Sequence, residues 1–144
     1  MPVHIEVSEV IDRPVAKVFQ FFAREHVRNH PRWDANIQLE QLTEGPIGVG
    51  TMIHRINRRS GSPVEGTMQV TEFEDNRAMA VLIQDGPVEM RSRVVFDALG
   101  ENQTRLTTTI DIPGMDEAKF NMAFMLSQLE QSQQIRKQLI ESET

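Results

Sequence analysis

The chain has no cysteine, which excludes a disulfide framework and any thiolate metal site. Aromatic residues are few, and there is a single tryptophan, Trp33. Positive charge is also scarce: 15 Lys and Arg face 21 Asp and Glu, a net charge of -6. That balance disfavours phosphate backbones and anionic membranes. The one local basic cluster, Arg55, Arg58 and Arg59 beside Gly61, has no aromatic platform with it and reads as a solvated hairpin. No stretch approaches the ~20 apolar residues that cross a bilayer. The opening MPVHIEV lacks the basic flank and apolar run of a signal peptide. These absences lead to the expectation of a cytoplasmic protein with no nucleic-acid partner and no integral membrane segment. The Asn102-Gln103-Thr104 sequon is then chance.

What is present is a chain of 144 residues with the composition of a globular protein, expected to form one domain over 1–144. A compact chain of this size buries roughly 70% of the surface its unfolded form exposes, enough for a core with a cavity inside it. Val3, Ile5 and Val7 alternate with polar residues, the period of a half-buried strand. Asp12 and Pro14 read as a helix start with Asp12 as N-cap, and Val15, Val18, Phe19 and Phe22 share one helical face. A second helical piece around Glu25 to Asn29 is expected to stop before Pro31.

From Ile37 the period changes to two. Strands are predicted at 37–42, 51–58, 66–74, 78–84, 89–99 and 104–112, separated by turns such as Ser60-Gly61-Ser62-Pro63 and Asp85-Gly86-Pro87. Connections this short join antiparallel neighbours, so these strands form a meander. Strand 78–84 is apolar on both faces, which leaves its register open. Pro113-Gly114 ends the sheet, and a helix of about 25 residues follows. Its inner stripe is Met115, Ala118, Met122, Met125, Leu126, Leu129 and Ile140, with Asp116 and Glu117 in the first turn.

Four segments resemble the START-like, or SRPBCC, superfamily. Ile11 to Phe19 looks like its first-helix signature, and Pro31-Arg32-Trp33-Asp34 resembles the tryptophan segment after the helix pair. Gly48-Val49-Gly50-Thr51 resembles the Gly-x-Gly that opens the third strand. Val70 to Glu74 resembles the end of the fourth, where Asp75 replaces the usual proline. The similarity covers nearly the whole chain, and the polyketide cyclase/dehydrase and lipid-transport family is the group it most resembles. The resemblance implies an α+β helix-grip fold: a curved antiparallel sheet of about seven strands around a long C-terminal helix, with two short helices between strands 1 and 2. It implies ligands such as lipids, hormones, quinones or aromatic polyketides. It implies no catalytic residues, because the superfamily shares none.

Inward strand positions and the inner helix stripe should line a cavity. The expected ligand-binding residues are Trp33, Met52, His54, Met68, Met90, Ser92, Thr108, Met122, Leu126 and Arg136. Flexible thioethers suit a pocket that adapts to apolar shapes, and equally they simply fill a core. His54, between Met52 and Ile56, is the weak candidate for an acid or base; a one-residue bulge would turn it outward and bring Arg55 inside. His26 and His30 are four apart, but Pro31 follows at once, and two surface histidines read better than a metal site. Trp33 either walls the pocket or seals the helix–sheet corner, and the loop Gly45 to Gly50 is a candidate gate. Gln133 and Arg136 either pass into solvent or supply polar groups to one end of the cavity. Phe120 and Phe124, four apart and opposite the inner stripe, suggest a homodimer contact or else are covered by a loop.

Binding of a small hydrophobic or aromatic ligand is therefore the first expectation, with no metal and no cofactor. A cyclase or dehydratase is the second. A partner-binding protein with a vestigial cavity is the third.

Overall fold

The computed structural model describes residues 1–144. Seven strands form one antiparallel sheet: β1 (Pro2–Ile11), β2 (Ile37–Gln41), β3 (Met52–Asn57), β4 (Val64–Glu74), β5 (Ala78–Asp85), β6 (Val88–Ala98) and β7 (Thr104–Asp116). The order across the sheet is β1-β7-β6-β5-β4-β3-β2. Strands β2 to β7 make the expected meander, and β1 closes onto β7 with Ile5 opposite Ile110. β1 and β2 are thus the two edges, and the segment joining them must travel the full width of the sheet. It does so as three short helical pieces: α1 (Val15–Phe19), a π-turn segment (Gln20–Arg24) and α2 (His26–Trp33). The long helix α3 (Met122–Glu143) lies over the same face. This is the helix-grip arrangement of the α+β class.

Three sequence expectations fail at element ends. The first helix is capped by Pro14 without a side-chain bond. Asp12 instead accepts from Gln103 Nε2 at 2.8 Å, and Lys137 lies 3.6 Å from its carboxylate. α2 runs through Pro31 to Trp33. Proline forfeits one intrahelical bond there, but Asp34 N still bonds the His30 carbonyl at 3.1 Å, and Trp33 is anchored in the core. Pro113-Gly114 does not end the sheet, because β7 continues to Asp116 opposite Pro2.

The last helix begins later than predicted. Asp116 caps only a 3-10 turn (Glu117–Lys119), and α3 starts after Asn121, whose side chain accepts from Phe124 N at 3.0 Å. The predicted phase therefore slips. Met115, Phe120 and Met122 pack on a satellite cluster of Val3, Ile5, Ile110 and Ile112, while Phe124, Leu126 and Ile135 are exposed. Phe120 is partly buried against that cluster, so of the expected exposed pair only Phe124 faces solvent.

The main core gathers at the opposite end, where α1, the π-turn segment and α2 meet the sheet. Phe19 is edge-on to Phe96 at 5.0 Å and to Phe73 at 5.2 Å. Phe22 stacks on Trp33 at 5.2 Å. Ile140 of α3 is fully buried in this cluster, a contribution of about 1.5–3 kcal/mol for such a side chain. Ile47 is buried here as well, so the Gly45–Gly50 loop is pinned to the core. β4 carries a bulge between Val70 and Glu72, which bends the strand.

Candidate functional site

Between the sheet and α3, a cavity of about 130 Å³ separates the main core from the satellite cluster. Its apolar wall comes from alternate strand positions that all point to one face. Met68 on β4, Met79, Val81 and Ile83 on β5, and Met90, Ser92 and Val94 on β6 line it. Thr108 and Ile110 on β7 and Met125 and Leu129 on α3 complete it. The open register of β5 is resolved: Met79, Val81, Ile83 and Asp85 are buried, and the residues between them are only partly so.

Of the residues expected from sequence, Trp33, Met68, Met90, Ser92, Thr108 and Arg136 lie on the cavity wall. Met52, His54, Met122 and Leu126 do not. Met122 belongs to the satellite cluster and Leu126 faces solvent, both consequences of the later start of α3. Met52 and His54 miss because β3 presents its other face: Ile53 and Arg55 are buried. His54 instead sits on the outer face, with Nε2 at 3.7 Å from Glu65.

The reason β3 turns an arginine inward lies two strands away. Arg55 is opposite Gly66 on β4, and Gly66 is opposite Asp85 on β5. With no side chain at Gly66, Arg55 Nε reaches over β4 to Asp85 Oδ1 at 2.9 Å, and Asn57 Nδ2 bonds Oδ2 at 3.0 Å. Strands lie about 4.8 Å apart, so the pair spans two strand spacings, a reach that suits a long guanidinium side chain. A Cβ at Gly66 would come within 1.8 Å of the Gln84 carbonyl oxygen, so β4 and β5 also approach too closely there for any other residue. Both charges are buried, which is tolerable only because they are paired and hydrogen-bonded.

Two further ion pairs stand at this end of the cavity. Arg136 of α3 bonds Glu9 of β1 at 2.8 Å, and its guanidinium lies 5.0 Å from the Phe22 ring centre and 5.3 Å from that of Trp33. Burial outweighs the attraction of Arg136 and raises the Glu9 carboxyl above its ordinary range. Arg59, in the turn after β3, pairs with Asp34 at the end of α2. Arg55 and Arg59 are therefore structural partners of the site and not a solvated hairpin.

His26 and His30 are also inside, against the surface position expected of them. Their rings are 4.7 Å apart, and His30 stacks on Trp33 at 5.4 Å. His26 Nδ1 is 2.8 Å from the Phe22 carbonyl, which only accepts, so Nδ1 carries the proton and donates. Burial lowers the His26 pKa from 6.5 to about 4. Burial and then the neighbouring His26, Arg55, Arg136 and Arg59 hold His30 well below its usual value. Both imidazoles are neutral near pH 7. No group of three or more His, Cys, Asp or Glu is placed to hold a metal, and three guanidiniums nearby oppose a cation. The sequence did carry one signal for this wall: Phe22, His26, His30 and Trp33 repeat at helical spacing.

Comparison with known proteins agrees with this architecture. The family described as polyketide cyclase / dehydrase and lipid transport matches residues 2–136, and the chain belongs to that family. It is similar in structure to a START superfamily protein from Mycobacterium smegmatis, with a TM-score of 0.78 at 15% identity over 98% of this chain and 99% of that one. It is similar to Ara h 8.0201, with a TM-score of 0.75 at 14% identity over 99% of both chains. The di-domain ARO/CYC BexL from the BE-7585A biosynthetic pathway is similar with a TM-score of 0.65 at 15% identity, over 96% of this chain and 45% of that one. At such identities the likeness shows the fold alone. No curated protein sequence matches the chain. No helix is long and apolar enough to cross a membrane.

Proposed function

We propose that residues 1–144 act as one domain that binds a small hydrophobic or aromatic ligand between the sheet and α3. The observation that carries this reading is the cavity itself, with Met68, Met79, Met90 and Met125 among its lining residues. Thioether side chains change rotamer cheaply, so such a wall adapts to apolar shapes. The volume of about 130 Å³ sets the scale. A dry protein cavity of about 150 Å³ accommodates benzene, so the volume here is on the scale of a single ring. A lipid would need α3 to lift.

Catalysis of the cyclase or dehydratase kind is the second reading, favoured by the two imidazoles in the cavity wall rather than by His54. Their depressed pKa counts against it, because an efficient general base titrates near the working pH. The lack of a nucleic-acid partner fits the acidic net charge of -6.

Native mass spectrometry of freshly purified protein, with titration by toluene followed through Trp33 fluorescence, tests the binding reading. Retained small molecules or a saturable fluorescence change are expected. An empty chain that responds to no one-ring compound sinks it, and turnover abolished by His26→Ala or His30→Ala would favour the enzyme.

A further inference from the structure

In the whole molecule, three buried side-chain polar atoms have no hydrogen-bond partner: His30 Nδ1, Arg59 Nε and Gln133 Nε2. All three residues line the one cavity, and they come from three different elements: α2, the turn after β3, and α3. Burying a polar group without a partner costs about 1–3 kcal/mol, so whatever occupies this cavity has three such groups to satisfy. Arg59 Nε can only donate, and so can the Gln133 amide nitrogen. The carboxylates at this end are already engaged: Asp85 with Arg55 and Asn57, Glu9 with Arg136, and Asp34 with Arg59. The charged groups that lower the His30 pKa are all cationic, Arg55, Arg136 and Arg59. The waiting groups are thus mostly donors, beside three guanidiniums that each already hold one carboxylate.

We propose that the ligand is a one-ring organic acid whose ring lies among the methionines and whose carboxylate accepts from Arg59 Nε, Gln133 Nε2 and His30. This rests on the binding reading above and names the ligand class for that same cavity. A carboxylate offers two oxygens and about four lone-pair sites, enough for three donors at once, where an amide or ketone oxygen serves two. Charge-assisted bonds of this kind are about twice as strong as neutral ones. His30 takes part as the Nδ1–H tautomer of a neutral ring and needs no added proton.

Sodium benzoate, benzamide, benzylamine and toluene, titrated at pH 7 by calorimetry and Trp33 fluorescence, separate the outcomes. Benzoate is expected to bind at least tenfold tighter than benzamide and toluene, with benzylamine weakest. Gln133→Leu and Arg59→Met should each lower the ratio of benzoate to toluene affinity about tenfold. Gln133→Leu makes no change to the ion pairs, so it keeps the test valid if Arg59→Met folds poorly. Benzamide or toluene binding as tightly as benzoate overturns the acid but leaves the binding reading intact. Silence from all four probes overturns both.

Discussion

The two halves of α3 do opposite things. The C-terminal half is fastened to the rest of the molecule. Arg136 pairs with Glu9, Lys137 donates to the Val10 carbonyl at 3.0 Å, and Ile140 is fully buried in the aromatic core. Arg13 reaches the Glu141 carbonyl, and Arg32 pairs with Glu143. The N-terminal half has nothing comparable. From Met122 to Ile135 no side chain makes an ion pair or hydrogen bond to the sheet, and Phe124 and Leu126 are exposed. Met122, Met125 and Leu129 rest on four small-cluster residues. The difference teaches how the two ends of one helix can be held differently: one end by ion pairs and core burial, the other by apolar contacts alone.

The charged end should be the more fragile one. Gly66→Ala places a methyl against the Gln84 carbonyl and between Arg55 and Asp85, so it strikes backbone and ion pair together. A loss of at least about 3 kcal/mol is expected from overpacking and a broken buried pair. Urea denaturation measures it; a stability change under about 1 kcal/mol would remove Gly66 from the design of the site.

Acid should act on the same end. His26 folds with a pKa of about 4 against 6.5 unfolded, so between those values the unfolded chain binds more protons. Its contribution is complete above pH 6.5 and is lost as the pH falls towards 4, a span worth about 3 kcal/mol. His30, also depressed, adds in the same direction. Exposed His4, raised by its bond to Asp111, works the opposite way. His26→Gln, which keeps a polar group near the Phe22 carbonyl, should flatten the pH dependence of stability across this window. An unchanged slope would show that the imidazole is not buried in solution.

The smallest effect is expected at the free end of the helix. Leu126→Ala should change stability by no more than about 0.5 kcal/mol, as for other solvent-facing sites. Amide hydrogen exchange should be faster over 122–132 than over 136–143, and a bound ligand should slow the first segment selectively. Equal protection of both segments in the free protein would end the contrast between the halves.

The sheet was legible in the sequence because period-two alternation and short turns leave few other options. Met68, Met90, Ser92 and Thr108 were correctly placed inward on that basis alone. β3 was misread for a definite reason. Its Met52-x-His54-x-Ile56 face looks more apolar than Ile53-x-Arg55, and only Asp85, thirty residues on, makes Arg55 the inward residue. The helix phase slipped because Asp116 and Asn121 are both competent caps, and local chemistry does not say which one starts the long helix. His26 and His30 were sent to the surface because Pro31 suggested a helix end.

By itself the sequence determined the helix-grip class, the antiparallel meander, and a methionine-rich face bordering a cavity. The meander and the methionine-rich face follow from local periodicity and turn chemistry, which act over a few residues. The helix-grip class is what the resemblance to the START-like superfamily implies. Tertiary structure alone decided that the cavity has a charged end. Each of its ion pairs joins residues far apart in the chain or on separate elements: Glu9 with Arg136, Asp34 with Arg59, and Arg55 with Asp85 across Gly66. A buried charge is stable only when its partner arrives, and the arrival of a partner is a property of the fold.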